Sequence, residues 1–342
     1  MVVEQLTSTG TARRPSRLAP LIPGPTAIFL LAACVFLIVG CIIGSQFRQT
    51  TVAGLVSGGA FASLAVALVL IYRATEVLNF AQGEMAMATT YVLYQFNYVW
   101  HWNYWLSFLL TLLVAFVFGV GVHTVFIRPV QRRSVVAVII VTIALFLLID
   151  GVVEWVWGID TKFMNAPFST RTIGWVTDHL NFTISWQDVG TLGTTIGAVI
   201  ALGLLFQFTK LGLAMRASAL RPGPARLVGV RVDAMLAFGW GLAAVLGAIA
   251  GVMVEAYQYT LSTTLMQGVF LYSFVAAVIG GIESPAGAVV GGLLFGVFLN
   301  LLSQYVSFIG SALQVPVALA VLLFVLLVKP SGLFGHPPIR KV

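Results

Sequence analysis

Long apolar runs alternate with short polar segments along most of this 342-residue chain. A helix needs about 20 predominantly apolar residues to cross a bilayer. The hydropathy pattern predicts such segments at 27–44, 51–72, 83–100, 104–127, 134–157, 189–209, 234–256, 268–282, 286–303 and 311–328. The 268–282 run is short, which indicates a half-helix or one arm of a re-entrant pair with 286–303. The pattern therefore predicts an all-α, polytopic transmembrane helical bundle of 8–10 spans, with broken or re-entrant helices.

Composition places almost the whole chain in lipid. Hydrophobic residues make up 59% of it and charged residues only 8%, whereas soluble domains carry roughly 25% charged residues. No polar segment is long enough to fold as a separate soluble domain. We therefore expect one transmembrane domain at 27–335, with an N-terminal tail at 1–26 and a C-terminal tail at 336–342.

The net charge of +7 predicts an orientation rather than a nucleic-acid partner. Of the 18 Lys and Arg residues, all except Arg48, Lys162 and Arg171 fall on one predicted side of the membrane. The positive-inside rule makes that side cytoplasmic and places both termini there. The basic residues are scattered over several short loops, which does not favour nucleic-acid binding. The longest exterior loop is 158–188, which is either a solvated connector or a docking site for an external partner.

A polar stretch from Arg73 to Glu84 interrupts two early apolar runs. Ionisable and amide groups are costly in hydrocarbon, so such a stretch usually faces protein, water or a solute path. Asn79, Gln82 and Glu84 are candidates for lining or gating a translocation path, and Gly83 is able to break a helix there. The alternative is that these side chains bond the backbone groups freed by the break.

Three further acids lie near the outer ends of predicted spans. Asp150 and Glu154 either form a proton relay or face the exterior vestibule, and the absence of an intramembrane Lys or Arg to pair with them favours the vestibule. Glu255 is expected to face the vestibule as well. Neither metal-ligand spacing nor a Ser/His/Asp or Cys/His catalytic set is present. We therefore expect neither a metal site nor enzymatic activity.

Small residues recur at the spacing of helix-packing seams, where they allow close backbone contact in lipid. The pairs are Gly54 and Gly58, Gly193 and Gly197, Gly247 and Gly251, Gly287 and Gly291, and Gly292 and Gly296. Five such pairs in one chain predict a densely packed bundle.

The largest predicted cytoplasmic connection is 210–233, which carries five basic residues and one acid. Its apolar positions suggest short surface helices interrupted at Pro222-Gly-Pro224, because proline removes backbone donors and breaks helices. The segment is either an ordinary basic loop beside the membrane or an element that docks a partner.

Four motifs in register resemble one family and cover roughly 51–335. They are Leu78-Asn-Phe-Ala-Gln-Gly-Glu84, Met215-Arg-Ala-Ser-Ala219 with Ala225-Arg-Leu-Val-Gly-Val230, Gly280-Gly-Ile-Glu-Ser-Pro-Ala-Gly287, and Lys329-Pro-Ser-Gly-Leu-Phe-Gly335. Together they resemble the branched-chain amino acid ABC permeases of the Liv-type H class, of which urea and amide permeases are close relatives. The Pro222-Gly-Pro224 break departs from the family pattern and puts the shape of the coupling helix in question.

The resemblance implies a permease that moves branched-chain amino acids inward by alternating access across a prokaryotic plasma membrane. Its implied partners are a second permease subunit, usually a different chain, two cytoplasmic ATPases that bind ATP and Mg, and an extracytoplasmic solute-binding protein. No Lys in the chain is followed by Ser or Thr, so it has no P-loop of its own. The rival classes are a urea or amide permease and an ion-coupled transporter that uses Glu84 or Asp150 as its ion site.

The resemblance also assigns roles to residues. The expected path or gate residues are Asn79, Gln82, Gly83 and Glu84. The expected ATPase-coupling residues are Arg216, Ala217, Ala225 and Gly229. The expected structural-motif residues are Gly280, Gly281, Gly287, Lys329, Pro330, Gly332, Leu333 and Phe334.

Overall fold

The computed structural model describes residues 34–40, 42, 44–131, 133–306, 308, 310, 313–329 and 332–334. The chain divides into two compact units, Met1–Val39 and Gly40–Val342. In the first unit, residues 34–39 are helical. The second unit contains all the elements named below.

The second unit is almost entirely helical. Its α-helices are α1 Ser45–Thr75, α2 Gln82–Tyr94, α3 Tyr104–Val122, α4 Arg128–Val130, α5 Val135–Trp157, α6 Gly174–Leu180, α7 Trp186–Phe208, α8 Lys210–Leu220, α9 Pro222–Leu227, α10 Val232–Gln258, α11 Leu265–Gly280, α12 Pro285–Tyr305 and α13 Gln314–Val328. Single π-helical turns, Gln95–Val99 and His123–Ile127, extend α2 and α3. Two short strands, β1 Lys162–Phe163 and β2 Thr260–Leu261, pair antiparallel.

The predicted helical bundle is confirmed, since each predicted span within the described residues coincides with a helix. Among the described residues, six helical stretches are long and apolar enough to cross a membrane, and α11 and α13 are shorter apolar helices. With 16 residues, α11 rises only about 24 Å, less than the roughly 30 Å hydrocarbon core. It forms an antiparallel hairpin with α12, in which Ala276 faces Gly291. The choice between eight and ten crossings stays a prediction, and the predicted 27–44 span lies largely outside the described residues.

The two ends of the bundle differ in chemistry. One end, which we call the basic end, carries Arg73 at the end of α1 and Arg128 at the end of the α3 span. The other end, which we call the loop end, carries the 158–188 loop with β1 and α6. Trp155 and Trp175 are exposed there by 86% and 64%. Exposed aromatic rings at this position are typical of the headgroup region of a bilayer.

Helices α1 and α10 form the centre, and glycines allow α12 to pack against α1 at backbone distance. A Cβ atom placed on Gly58 would lie 2.9 Å from the Gly292 carbonyl oxygen, and one on Gly54 would lie 2.6 Å from the Val297 Cα atom. The contacts run in opposite directions along the two helices, so α1 and α12 are antiparallel. Because only glycine fits at these positions, the predicted packing role of the Gly54–Gly58 and Gly292–Gly296 pairs is confirmed.

The other predicted glycine pairs divide into two groups. Gly247 and Gly251 pack against α2, and Gly287 and Gly291 pack against α11. A Cβ atom added at Gly193 or Gly197 would have no atom of the described chain within 4 Å. The prediction of a packing seam at 193–197 is therefore wrong for this chain's own fold, because that side of α7 faces away from the bundle. The spacing of glycines indicates a flat face but not its orientation.

Helix α2 begins inside the bundle rather than at its surface. Gln82 contacts Ala243, and Thr90 lies against Gly251, so α2 and α10 run parallel from the middle of the bundle toward the loop end. At 1.5 Å per residue, Ala243 lies about 17 Å along α10 from its start at the basic end. The segment between α1 and α2 must therefore return into the bundle, as expected of a broken-helix element.

Candidate functional site

The returning segment 76–81 starts at a tight helix end. Glu76 ends α1 in the left-handed region, at φ 58°, and its N–H donates to the Tyr72 carbonyl over 2.7 Å. From there the chain runs inward to Asn79 and Ala81, both of which are fully buried. The segment is irregular backbone surrounded by protein, which is the setting in which non-helical backbone is tolerated at membrane depth.

Asn79 and Gln82 satisfy the polar groups of this returning segment. Asn79 Oδ1 accepts from the Ala81 N–H at 3.1 Å, and Asn79 Nδ2 donates to Gln82 Oε1 at 3.1 Å. Gln82 Nε2 then donates to the Ala243 carbonyl on α10 at 2.9 Å. The two side chains thus form a relay that joins the start of α2 to α10. Of the two interpretations offered by the sequence, this bonding favours the structural one for Asn79 and Gln82.

Glu84 differs from both amides, because it is a buried acid. Its side chain is 1% exposed, and Oε2 has no hydrogen-bond partner among the described residues. Asp150 lies on α5, which packs against α2. Next to Glu84, Gly83 packs against α11, where a Cβ atom would lie 3.0 Å from Phe270 Cβ. A buried carboxylate without compensating partners lowers the stability of the fold. The presence of Glu84 is therefore not explained by stability, which favours a functional role for this residue.

A second buried acid lies where the sequence predicts exposure. Glu255 on α10 is 1% exposed, and neither of its carboxylate oxygens has a partner in the part of the chain that the structure describes. The expectation that it faces the exterior vestibule is wrong, because α3 covers this end of α10. Tyr104, at the start of α3, lies near Glu255. Glu154 is exposed, and Asp150 is only partly exposed.

The predicted coupling segment forms two short helices at the basic end. Arg216 and Ala217 lie on α8, and Ala225, only 4% exposed, lies on α9. Gly229 adopts a φ of +85° and turns the chain from α9 into α10. The Val230 N–H donates to the Ala225 carbonyl at 3.0 Å, which closes this turn. The segment is therefore an ordered element rather than a loose loop.

Pro222-Gly-Pro224 lies within α9 and not between two helices, so the predicted position of the interruption is wrong. The interruption occurs one residue earlier, at Arg221, which has φ −145° and ψ 76°. Pro222 is the first residue of α9, where the missing N–H has no intrahelical partner to lose. The proline pair therefore starts a helix, and its fixed φ suits that position.

An ion triad that the sequence did not reveal fixes α9 to the bundle. Asp233 in the first turn of α10 accepts from Arg128 at 3.0 Å and from Arg226 at 3.4 Å. The two arginines are 52% and 54% exposed, so each pair contributes little stability alone. A cavity of about 690 Å³ adjoins the triad and includes His123 in its wall. In the sequence, the only sign of this triad was a single acid, Asp233, in a segment with five basic residues.

The two glycine-containing motifs near the C-terminus meet at one junction. The Leu333 N–H donates to the Ile279 carbonyl at 2.7 Å, and the Phe334 N–H donates to the Gly280 carbonyl at 3.2 Å. Gly280 and Gly287 contact each other through their backbones across the α11–α12 turn, and Gly281 at that turn has a φ of +102°. The junction thus closes the α11–α12 hairpin with the chain that follows α13.

The same motif contributes one side-chain bond. Lys329 Nζ donates to the Leu333 carbonyl at 3.3 Å, whereas Pro330 lies outside the described residues.

Gly332→Ala is expected to lower stability by about 2–3 kcal/mol, combining backbone strain with overpacking. Gly332 has a φ of +72°, and a Cβ atom there would lie 2.5 Å from the Val278 carbonyl oxygen. Gly229→Ala is the matched control, because its φ is +85° but no atom of the described chain lies within 4 Å of the added Cβ. Thermal unfolding in detergent should show the larger loss for Gly332→Ala. Equal losses in the two variants would contradict the steric part of the argument.

Two cavities lie on the same set of central helices at opposite ends. The loop-end cavity, about 220 Å³, is lined by Ser57, Asn300 and Gln314 among other residues. The basic-end cavity, about 720 Å³, includes Arg73 and Arg216 in its wall. Neither has Asn79, Gln82 or Glu84 in its wall. The structure thus brings Asn79, Gln82 and Glu84 together in the interior and places the coupling residues at the basic end.

Comparison with known proteins finds relatives among transport permeases. The high-affinity branched-chain amino acid transport system permease protein LivH of Salmonella typhimurium is 27% identical over 304 residues, covering 86% of this chain and 98% of that protein. The xylose/arabinose import permease protein XylH of Sulfolobus acidocaldarius is 32% identical over 119 residues, covering 34% of this chain and 33% of that protein.

A structural alignment and a family match complete the comparison. PsaBC from Streptococcus pneumoniae in complex with Fab aligns over 88% of this chain and 98% of that chain, with 13% identity and a TM-score of 0.45. The family described as branched-chain amino acid transport system / permease component matches residues 50–328. That range is more than half of the chain, so the chain belongs to the branched-chain amino acid transport system permease family.

Proposed function

We propose that the chain is the permease subunit of an ATP-binding-cassette importer that moves branched-chain amino acids inward by alternating access. The family and the full-length relative LivH support this substrate class. The basic end faces the cytoplasm of a prokaryotic cell, with both termini on that side, because most Lys and Arg residues lie there. Membership in a transport-system family also implies a complex with further subunits.

The observation that carries the proposal is the apolar surface of the α8–α9 segment. Leu220, Leu227 and Val228 are exposed by 73%, 89% and 79%. Large apolar side chains left uncovered by the chain's own fold mark a contact surface for another protein. The Asp233 triad holds this surface to α3 and α10. Force applied there by a partner is therefore transmitted to the bundle, as coupling to an ATPase requires.

The partners follow from this arrangement. Two cytoplasmic ATPases contact the α8–α9 segments of the permease core, and they bind ATP and Mg. They supply the energy for transport, because this chain has no P-loop of its own. A second permease subunit covers exposed apolar helix faces, and a solute-binding protein delivers substrate at the loop end. Residues Arg216, Ala217, Ala225 and Gly229 carry the coupling.

The loop-end cavity suits a small zwitterionic solute with an aliphatic side chain. Val254 and Leu299 give it an apolar wall, and Ser57, Asn300 and Gln314 add neutral hydrogen-bonding groups. Asn300 Nδ2 donates to Ser57 Oγ at 2.9 Å, so these groups are already oriented. Its volume of about 220 Å³ corresponds to roughly seven water molecules. Glu84 lines neither cavity and acts as the gate, while Asn79 and Gln82 hold its segment in place.

Charged residues on the apolar surface of the α8–α9 segment should abolish coupling to the ATPase. Leu227→Asp combined with Val228→Asp is expected to prevent co-purification of the ATPase and to lower ATP-dependent leucine uptake at least tenfold, because a carboxylate cannot be buried in an apolar contact. Phe163→Asp is the control, since Phe163 is 71% exposed at the loop end. It should retain the ATPase.

Two results would contradict the proposal. In one, the tagged wild-type chain co-purifies with no ATPase subunit when expressed with the neighbouring genes. In the other, leucine uptake by proteoliposomes persists without ATP and follows a proton or sodium gradient. The second result would favour an ion-coupled transporter, with Glu84 and the adjacent Asp150 as the ion site.

A further inference from the structure

The basic-end cavity has the size of a binding site for lipid. Its volume of about 720 Å³ falls in the range of small-molecule sites, roughly 300–1,000 Å³. Its wall extends along α1 from Val66 to Ala74, which is about 12 Å at 1.5 Å per residue. One leaflet of hydrocarbon is about 15 Å deep, half of the roughly 30 Å core. The cavity therefore matches the depth over which an acyl chain lies in one leaflet.

The interior of the cavity is apolar, and one side of it opens away from the bundle. Leu70 and Phe206 contribute to its wall, and Ile200, which is 55% exposed, lies at its edge on α7. Gly203 also lines the cavity, and a Cβ atom there would have no neighbour within 4 Å in the described chain. A chain of methylene groups entering between α7 and its neighbours would thus meet apolar side chains rather than polar ones.

The charged groups of the cavity are all of one sign. Arg73 and Arg216 line it, and no acidic side chain of the described residues lies in its wall. Arg216 Nε is buried and has no hydrogen-bond partner within the part of the chain that the structure describes. The situation differs from that of Arg128 and Arg226 at the same end, which share Asp233. The cavity therefore combines an apolar chamber with two guanidinium groups that have no counter-charge in its described wall.

The start of α12 adds to this positive potential. Pro285 and Ala286, the first two residues of that helix, lie in the cavity wall. Pro285 has no N–H, and the Gly287 N–H donates to Ser284 Oγ at 3.0 Å, so the contribution of this helix end is its dipole, which favours anions. The dipole and the two arginines therefore favour a negatively charged headgroup at this position.

We propose that this cavity binds an anionic phospholipid from the leaflet at the basic end, with an acyl chain in the apolar chamber and the phosphate group between Arg73 and Arg216. Guanidinium groups pair with phosphate oxygens in a bidentate manner, which suits a headgroup held at the membrane surface. Because Arg216 lies on α8, the bound lipid ties this helix to α1 and α12. Lipid occupancy then sets the position of the segment proposed to contact the ATPase.

The test measures lipid binding directly, so that it stands apart from the transport function. The full chain is purified in detergent and titrated with dioleoyl phosphatidylglycerol or dioleoyl phosphatidylcholine, and bound lipid is counted by native mass spectrometry. We expect phosphatidylglycerol to bind about tenfold more tightly or better. Arg73→Gln combined with Arg216→Gln should remove that preference. Arg221→Gln, which removes the same charge from an exposed position outside the cavity, should retain it.

A second pair of variants tests the apolar chamber without touching a charge. Gly203→Leu places a side chain in the open space of the cavity and should lower the binding of both lipids severalfold. Gly197→Leu on the same helix, also without described neighbours within 4 Å, should not. Equal affinity for the two lipids in the wild type, or an unchanged preference in the double arginine variant, would overturn the proposal. So would displacement of phosphatidylglycerol by leucine, which would place the cavity on the solute path.

Discussion

Gly58→Leu is expected to leave almost no folded protein in detergent extracts. The contact atoms around Gly58 belong to the backbone of α12, with the Gly292 carbonyl oxygen 2.9 Å and the Leu293 Cα atom 3.0 Å from an added Cβ. Backbone atoms cannot rotate away, so α1 and α12 must separate to accept a side chain. Forcing even small groups into a packed interior costs about 1–3 kcal/mol, and separating this seam forfeits contacts along both helices. The expected loss of stability is then comparable to the whole free energy of unfolding of a typical protein, roughly 5–15 kcal/mol.

Fluorescence-detected size-exclusion chromatography and thermal unfolding measure this effect. Gly193→Leu is the matched control, since it makes the same substitution in a helix of the same bundle where no atom of the described chain lies within 4 Å. We expect the control to elute as a single folded species with an unchanged unfolding temperature. A monodisperse Gly58→Leu protein that unfolds within a few degrees of the wild type would show that the seam is not required.

Gly58 and Gly193 also show how far the sequence predicts the fold. Spans such as 104–127 and 134–157 were predictable because lipid forces every backbone group into a helix, so length and hydropathy are sufficient. The spacing of Gly54 and Gly58 equals that of Gly193 and Gly197, yet only the first pair is packed within the described chain. Orientation around a helix axis depends on which neighbours assemble, and in lipid the mean hydropathy is similar on both faces. The spacing alone therefore could not separate the two cases.

The site was predictable in location and less so in detail. The polar stretch ending at Glu84 marked the broken helix, because polar side chains are rare at membrane depth. Its bonding was not predictable, since Ala243, which accepts the hydrogen bond of Gln82, lies 161 positions away in the chain. The same holds for the bond between Leu333 and Ile279. The basic-end cavity depends on side chains from several helices and has no local signature in the sequence.

Within the broken-helix motif, amide and acid substitutions should separate fold from function. Asn79→Leu leaves the Ala81 N–H and the Gln82 side-chain oxygen without these partners in a buried site. Each buried group left unsatisfied costs about 1–3 kcal/mol, so the variant should unfold at a clearly lower temperature and yield less protein. Its transport would fall only because less folded protein is present. Uptake normalised to folded protein should therefore remain near the wild-type value.

Glu84→Gln should have the opposite profile, with normal stability and uptake at least tenfold lower per folded molecule. Glutamine has the same shape as glutamate and removes a buried carboxylate whose Oε2 has no partner among the described residues. The stability of the fold should therefore rise or stay unchanged. Glu76→Gln is the control, because Glu76 is exposed at the end of α1 and should alter neither property. Unfolding temperature and ATP-dependent leucine uptake by the co-expressed complex are measured side by side. If Glu84→Gln fails to assemble, or transports normally when folded, Glu84 is a structural residue and the gate lies elsewhere.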